Sequence, residues 1–330
     1  MKNKAWSVLR IADSKFKLAY QDIILRDLKE GELLISLEYS SINYRDMLGS
    51  KGNLGVARSF PYYPGVDAAG IVIESTSERI PKGSKVFVAA VSMNKVYPGC
   101  WSQNIIAKEE VVSLIPGKLS TRDIMIFGTA GLSAALGVMA INRFVGGIHP
   151  KQKMLVTGAS GGLGSLATAI LSSYGCSVDV VSRKTDRDNY FLSVGASRVL
   201  SPYKFILDSG PNLLKEEYTG VVDTLGGEVL VAAIKRTVKF GVVACSGLVE
   251  SQRLNLTVLP FLMRGVALIG TGAEISSTEV RLEAWALLEK HVSSTKLDLI
   301  GNVIKIENVP EALEQMSYAS HQGRFVIKIA

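Results

Sequence analysis

The sequence predicts an α/β protein with two domains, one resembling a β-barrel and one built on a doubly wound parallel sheet. Short apolar runs between Gly and Pro turns fill the first third of the chain, and strands alternate with helices after Thr121. Its 330 residues are 47% hydrophobic and 20% charged, which is typical of globular domains. We expect one domain from residues 1–126 with 299–330, and the other from 127–298.

The first third of the chain reads as short strands. The runs at 32–39, 70–74, 85–90 and 102–107 are rich in strand-forming residues, and Gly/Pro turns separate them. Many short strands between such turns favour a compact barrel-like domain. The last apolar run, 324–329, is expected to return to this domain.

The rest of the chain alternates strands with helices, which implies a parallel sheet covered by helices on both faces. A late helix has an apolar face made by Leu282, Trp285, Leu287 and Leu288. The expected strands are 153–157, 177–182, 198–200, 220–224, 241–245 and 266–270.

One uncharged run, 124–141, is long enough to be scored as a membrane span. Its glycines and hydroxyl residues, and Arg143 just after it, favour a turn and a buried helix instead. The N-terminus lacks the apolar centre of a signal peptide. We therefore expect no membrane association and, by default, a cytoplasmic protein.

A glycine-rich turn after the strand at 153–157 is the strongest functional signal. The register Ala159-x-Gly161-x-x-Gly164 matches a dinucleotide-binding turn, although alanine replaces its first glycine. The helix that follows directs free N–H groups and its positive dipole end at an anion. The alternative is a surface turn in an ordinary βαβ unit. The residues expected to cradle a pyrophosphate are Ser160, Gly161, Gly162 and Leu163.

The end of the next strand predicts which nicotinamide dinucleotide binds. A carboxylate there would bind the ribose of NAD, whereas this chain has Ser182, Arg183 and Lys184, which suit a 2′-phosphate. Asp179 is the residue that would favour NAD, but it should lie inside the strand. Arg198 either assists with the phosphate or is an exposed arginine at a strand start. We therefore predict NADP(H) as the cofactor.

The formal net charge of +7 could indicate a protein that binds nucleic acid. No dense Lys/Arg run with interleaved aromatic residues is present, so no nucleic acid partner is expected. The three cysteines, Cys100, Cys176 and Cys245, are far apart, and neither a disulfide framework nor a structural zinc site is expected.

Several motifs together resemble the medium-chain dehydrogenase/reductase superfamily, and within it the zinc-independent quinone oxidoreductase type and its acrylyl-CoA reductase branch. The resemblance runs nearly from end to end and implies a GroES-like β-barrel domain joined to a Rossmann domain. It also implies a homodimer formed through edge strands of the nucleotide domain. The motifs are Ser41–Asp46, Tyr63–Gly70, Gly128–Gly131, Thr157–Gly162, Val222–Gly227, Ala244–Leu248, Thr257–Val266 and Gly323–Arg324.

The resemblance also implies roles for individual residues. Tyr44 is the leading polar candidate for catalysis, and its hydroxyl would contact the cofactor ribose or donate toward the substrate; the alternative is packing against the nicotinamide. Asn43 and Asp46 would orient the loop that carries Tyr44. The alternative role for Asp46 is that of a turn or helix cap. Thr129 would lie behind the nicotinamide or cap a helix, and Leu248 would touch the cofactor.

The same resemblance predicts that no metal is bound. Asn43 stands where zinc-dependent members have a Cys ligand, and Val66-Asp67 where they have a His-Glu pair. Three departures from the branch are the run Pro98–Trp101, the run Gly270–Ala273, and Arg45 in place of a usual Lys.

These observations together predict a reductase for a C=C bond conjugated to a carbonyl, because hydride addition to such a bond needs no metal. The favoured substrate is acrylyl-CoA, which would yield propionyl-CoA. A reductase of quinones or free enones is one alternative, and a non-catalytic NADPH-binding or sensing protein is another.

Overall fold

The computed structural model describes residues 1–92, 95–207 and 210–330. It divides into two compact units, Met1–Thr129 with Gly301–Ala330, and Ala130–Ile300. The strands are β1 Lys2–Ala12, β2 Lys15–Ile24, β3 Glu32–Ser41, β4 Ala68–Ser75, β5 Lys85–Val88, β6 Val96–Tyr97, β7 Asn104–Lys108, β8 Ser113–Leu114, β9 Lys153–Thr157, β10 Ser177–Val181, β11 Arg198–Leu200, β12 Tyr218–Asp223, β13 Thr237–Cys245, β14 Ala267–Gly270, β15 Gly301–Lys305 and β16 Arg324–Lys328. The helices are α1 Tyr44–Ser50, α2 Thr121–Phe144, α3 Gly162–Ser173, α4 Asp188–Val194, α5 Pro202–Leu207, α6 Gly227–Arg236, α7 Leu259–Arg264, α8 Thr278–His291, α9 Ser294–Ile300 and α10 Val309–Ser317.

The first unit is built on a largely antiparallel sheet in the order β15-β16-β3-β4-β5-β8, with β7 pairing to both β3 and β6. Strand β16 pairs antiparallel with β3, so the last strand returns to the first domain as predicted. The apolar residues that face inward from neighbouring strands form one core, which includes Leu33, Val72, Val86 and Ile105. This sheet fixes the ends of β3 and β16, where the polar residues described below meet.

The second unit is a parallel sheet in the order β11-β10-β9-β12-β13-β14. The strand order reverses between β9 and β12, and ligands of open α/β sheets bind outside the carboxyl ends of the strands at such a reversal. Leu155, Val221 and Val243 lie buried in these strands and pack with side chains of α6. The α/β fold class, with a GroES-like and a Rossmann-like part, is confirmed.

Helix α2 contains the uncharged run 124–141, which is long enough to be scored as a membrane span from the sequence. It bends at Gly128, whose backbone is non-helical with φ 45° and ψ −150°. Among the described residues it is long and apolar enough to span a membrane, but 89% of its most apolar window is buried inside the protein. A core helix of a globular domain has these properties.

Two parts of the sequence prediction were incomplete or wrong. Strands β1 and β2 form a separate antiparallel ribbon that the strand prediction missed. Leu282 is 61% exposed, because α8 buries the face that carries Ala284, Trp285 and Leu288.

Candidate active site

The glycine turn joins β9 to α3 at the strand-order reversal. Gly158 adopts φ +61°, which favours glycine, and Gly161 precedes α3 as its N-cap. A Cβ on Gly164 would lie 2.5 Å from the Gly158 carbonyl oxygen, so only glycine lets helix and turn approach this closely. The turn therefore directs the first N–H groups of α3 outward beyond the strand ends.

Gly161 provides a test of whether this turn suits a dinucleotide. Its φ of −87° is open to any residue, and a Cβ there would meet only the Gly158 carbonyl, at 3.7 Å. Neither backbone strain nor internal packing therefore requires glycine at this position. A ligand that approaches the backbone closely would require it, as a pyrophosphate does in dinucleotide folds. Ser160, Gly162 and Leu163 are also partly exposed here.

The predicted 2′-phosphate residues lie together just after β10. Ser182 is buried, and its hydroxyl oxygen accepts a hydrogen bond from the Lys184 backbone N–H at 3.1 Å. Arg183 is exposed and Lys184 is half-buried. The strand end thus presents one hydroxyl and two cations at the carboxyl edge of the sheet.

The cations after β10 crowd one another. Burial, together with the charges of Arg187 and Arg183, lowers the pKa of the Lys184 ammonium to about 8. An anion placed among these cations would relieve that repulsion. Sequence reasoning missed Arg187, although it stands only three residues after Lys184 in the same polar run.

Arg198 lies away from this group of cations. Its Nη2 atom donates to Asp179 Oδ2 at 2.5 Å, and the Tyr218 hydroxyl donates to the same oxygen at 3.0 Å. Asp179 is three residues before Ser182, which along a strand is about 10 Å. Arg198 therefore neutralises a buried carboxylate and is not part of the proposed phosphate site.

Asp179 is 2% exposed and lies inside β10, as expected. It pairs with Arg198 and with the Lys153 ammonium, 3.3 Å away. Because the Asp179 carboxylate is paired with these internal cations, we do not expect it to bind the ribose of a cofactor.

Leu248 lies in the loop after β13 and is 57% exposed. The loop packs on the turn after β12: the Glu250 N–H donates to the Leu225 carbonyl at 2.8 Å. Burial raises the pKa of the Glu250 carboxyl, and the nearby Arg183 charge opposes that rise. The loop thus reaches the same edge of the sheet as Arg183, and a cofactor contact by Leu248 stays a prediction.

The predicted polar residues of the first unit meet at the start of α1. Asn43 is the N-cap and Tyr44 the first helical residue. The Asp46 carboxylate accepts the Asn43 backbone N–H at 2.9 Å, which is the arrangement of a helix-capping residue. Tyr44 is half-buried.

Asp46 is fully buried, and in the described part of the chain its carboxylate accepts hydrogen bonds from N–H groups. Besides the Asn43 backbone, they are Asn43 Nδ2 at 3.1 Å and the Gly65 backbone at 3.1 Å. Burial and the neighbouring Asp67 raise the pKa of Asp46 to about 7, while these donors oppose the rise. Asp46 therefore acts on the structure through the α1 cap, in line with the helix-cap reading.

Asp67 and Arg324 form a buried ion pair beside this cap, with Arg324 Nη2 2.6 Å from Asp67 Oδ2. Asp67 also accepts hydrogen bonds from Ser41 Oγ at 2.8 Å and Asn43 Nδ2 at 2.9 Å. Burial would raise the pKa of Asp67, but the Arg324 charge and the hydrogen bonds from Thr129 and Asn43 outweigh burial and hold it below its usual value. Both residues were missed as site residues, although they lie inside motifs that the sequence singled out.

Thr129 follows the α2 bend and is held by the same carboxylate. Its backbone N–H donates to Asp67 Oδ2 at 2.9 Å, and its hydroxyl donates to Asp67 Oδ1. A Cβ on Gly128 would lie 2.3 Å from Arg324 Nη2 and 2.6 Å from Asp67 Oδ2, so glycine leaves room for the pair. The predicted contact of Thr129 with a nicotinamide stays a prediction.

The described residues contain no group of three His, Cys, Asp or Glu side chains that could hold a metal ion. Where zinc-dependent proteins of this kind carry ligands, Asn43 uses its amide in hydrogen bonds and Val66 is buried.

The chain is similar to several known proteins. Residues 29–131 match the alcohol dehydrogenase GroES-like domain. The acrylyl-CoA reductase AcuI of Ruegeria pomeroyi is 33% identical over 317 residues, 96% of this chain and 95% of that protein. The yhdH oxidoreductase of Salmonella enterica, crystallised with NADP, superposes with a TM-score of 0.92 at 32% identity over 100% of both chains.

A further relative, YhfP of Bacillus subtilis, is provisionally named a quinone oxidoreductase and is 31% identical over 93% of both chains. Its structure with NAD bound superposes with a TM-score of 0.92. The chain therefore belongs to the medium-chain dehydrogenase/reductase superfamily of nicotinamide-dependent oxidoreductases, in the branch of the acrylyl-CoA reductases and related quinone oxidoreductases.

Proposed function

We propose that this oxidoreductase uses NADPH to reduce a C=C bond conjugated to a carbonyl, with acrylyl-CoA as the favoured substrate and propionyl-CoA as the product. The observation that carries the proposal is the group of cations after β10, beside a glycine turn that suits a pyrophosphate. The AcuI relative supports the substrate, and the NADP complex of the Salmonella relative supports the cofactor.

The proposed cofactor residues of the second unit each have a defined task. The N–H groups at the start of α3 would bind the pyrophosphate, and Ser182, Arg183 and Lys184 would bind the 2′-phosphate. Arg187 would add to the positive potential, and Leu248 would pack against the cofactor. When bound, the reduced nicotinamide supplies a hydride to the substrate β-carbon.

The reduction leaves negative charge on the substrate carbonyl oxygen and requires a proton at the α-carbon. A hydrogen-bond donor aimed at that oxygen lowers the barrier. Tyr44 is our candidate for this donor or for a contact with the cofactor, and Thr129 would lie behind the nicotinamide ring. Asn43 and Asp46 are assigned to holding the turn that carries Tyr44, because their side chains are bonded to each other and buried.

Turnover tests the proposal directly. Purified protein would be given NADPH together with one acceptor at a time: acrylyl-CoA, methyl vinyl ketone or benzoquinone. Each reaction would be run with and without a chelator. We expect fastest turnover with acrylyl-CoA, no effect of the chelator, and transfer of deuterium from labelled NADPH to the β-carbon of propionyl-CoA.

Other outcomes separate the alternatives. Preference for benzoquinone would favour the quinone reductase, which the YhfP relative supports. Absence of turnover with every acceptor, alongside tight NADPH binding, would favour a binding or sensing role. Activity lost to the chelator and restored by zinc would refute the metal-free reaction.

We also propose that the chain forms a homodimer through the edge of its parallel sheet. Strand β14 ends the sheet, and exposed apolar side chains lie on the neighbouring elements. Analytical ultracentrifugation should give a mass of twice that of one chain. The substitution Leu262→Glu should lower the measured mass toward that of a monomer. A wild-type protein that sediments as a monomer would contradict the proposal. The exposed residues are Phe240 in β13, Val258 before α7, and Leu262 and Met263 in α7.

A further inference from the structure

The amide of Asn43 is held in one orientation by charged neighbours. Its Nδ2 atom donates to Asp46 Oδ2 at 3.1 Å and to Asp67 Oδ2 at 2.9 Å. Its Oδ1 atom accepts from Arg324 Nη1 at 3.0 Å. Turning the amide over would place its oxygen against two carboxylates and its NH₂ against a guanidinium, so only the observed orientation satisfies all three neighbours.

Arg324 supplies the donor that fixes this orientation. It is 4% exposed, and its guanidinium bonds to acceptors from three segments of the first unit. Besides Asn43 Oδ1, they are the Met125 carbonyl at 3.1 Å, Ser41 Oγ at 2.6 Å and Asp67 Oδ2 at 2.6 Å. A planar fork of donors can reach all of these at once, whereas a single ammonium cannot.

The segment held in this way carries the candidate catalytic residue. Asn43 is the N-cap of α1, and Tyr44 is the next residue. The same amide also donates to the Asp46 carboxylate, which in turn accepts the Asn43 backbone N–H and so closes the first turn of α1. Loss of the Arg324 bond would free one end of this amide, and the N-cap would lose its fixed geometry.

We propose that Arg324 is a positioning residue for the reduction: it fixes the Asn43 amide and thereby the first turn of α1, which carries Tyr44. The inference rests on the proposed function for its kinetic consequence, but its structural consequence can be measured separately. Arg324 acts through Asn43, so the two residues should behave as one unit.

A double-mutant cycle tests this coupling. Arg324→Lys keeps the positive charge opposite Asp67 but removes the planar fork, and Asn43→Ala removes the amide. We expect each change to lower kcat for acrylyl-CoA about 10- to 100-fold, as small misplacements of reacting groups do. The double variant should be no slower than the slower single variant, and the dissociation constant for NADPH should change by less than roughly twofold in all three.

Hydrogen–deuterium exchange supplies a readout that does not need turnover. Arg324→Lys should speed amide exchange in the peptide that covers residues 43–48. A matched control is Arg236→Lys in the second unit. Arg236 is also a buried arginine, and it donates to the Ala232 carbonyl at 3.1 Å. The control should lower the melting temperature without changing kcat or exchange at 43–48.

Four results would separate the possible failures. Multiplicative losses of kcat in the double variant would overturn the coupling, as would unchanged exchange at 43–48 in Arg324→Lys. A lower melting temperature with unchanged kcat would reduce Arg324 to a purely structural role. A wild-type protein that reduces no conjugated acceptor would refute the proposed function, while the exchange experiment would still decide whether Arg324 holds this turn.

Discussion

Replacing both Arg183 and Lys184 with alanine should lower kcat/KM for NADPH on the order of 100-fold, with NADH changed much less. Each cation contributes a charge-assisted hydrogen bond to the 2′-phosphate, and a tenfold loss for each is a modest value for such bonds at a partly exposed site. NADH lacks this phosphate and loses nothing comparable. Steady-state kinetics with both cofactors, at a fixed acceptor concentration, measures the change.

Arg198→Ala is the control for this experiment. Arg198 is cationic and close in sequence, but it pairs with Asp179 rather than with the cations after β10. We expect it to leave the ratio of the NADPH and NADH efficiencies unchanged. Equal losses for both cofactors in the Arg183/Lys184 variant would remove the phosphate assignment, and a changed ratio in Arg198→Ala would return Arg198 to the site.

Arg324→Met should lower the free energy of unfolding of the first unit by about 3–5 kcal/mol, because removing one member of a buried ion pair leaves the other uncompensated. Asp67 would keep its hydrogen bonds from Ser41 and Asn43 but lose its counter-ion. Urea unfolding followed by tryptophan fluorescence can measure this. Trp101 reports on the region directly, since its Nε1 donates to the Ser41 carbonyl at 3.0 Å.

A second substitution identifies the cause. Asp67→Asn added to Arg324→Met removes the unpaired charge, so the double variant should recover part of the lost stability. A loss below about 1 kcal/mol in Arg324→Met, or further destabilisation by the second change, would contradict the buried-charge explanation.

The central strands of the parallel sheet could be predicted from the sequence because they are buried on both faces. Strands of this kind are nearly continuous apolar runs, and 153–157 was predicted to the residue. The first ribbon escaped prediction for the opposite reason. Strands β1 and β2 carry lysines at positions such as Lys2, Lys15 and Lys17 and bury only part of their surface, which weakens the apolar pattern.

The candidate site divides in the same way. The glycine turn and the cations after β10 are local in sequence, and their chemistry follows from spacing. The pair of Asp67 and Arg324 joins residues separated by 257 positions, and no local pattern reports such a contact. The role of Arg198 could not be decided from the sequence for a related reason. Its partner Asp179 becomes apparent only when β10 and β11 are paired in the sheet.

The return of β16 to the first unit has a consequence for the order in which the protein forms on the ribosome. Asp46 and Asp67 are synthesised early, whereas Arg324 follows only after the whole second unit, Ala130–Ile300. The second unit is continuous in the chain and can complete its sheet first. Until the last strand arrives, the Asp67 carboxylate lacks the Arg324 guanidinium and favours water, so this part of the nascent chain should stay open longest.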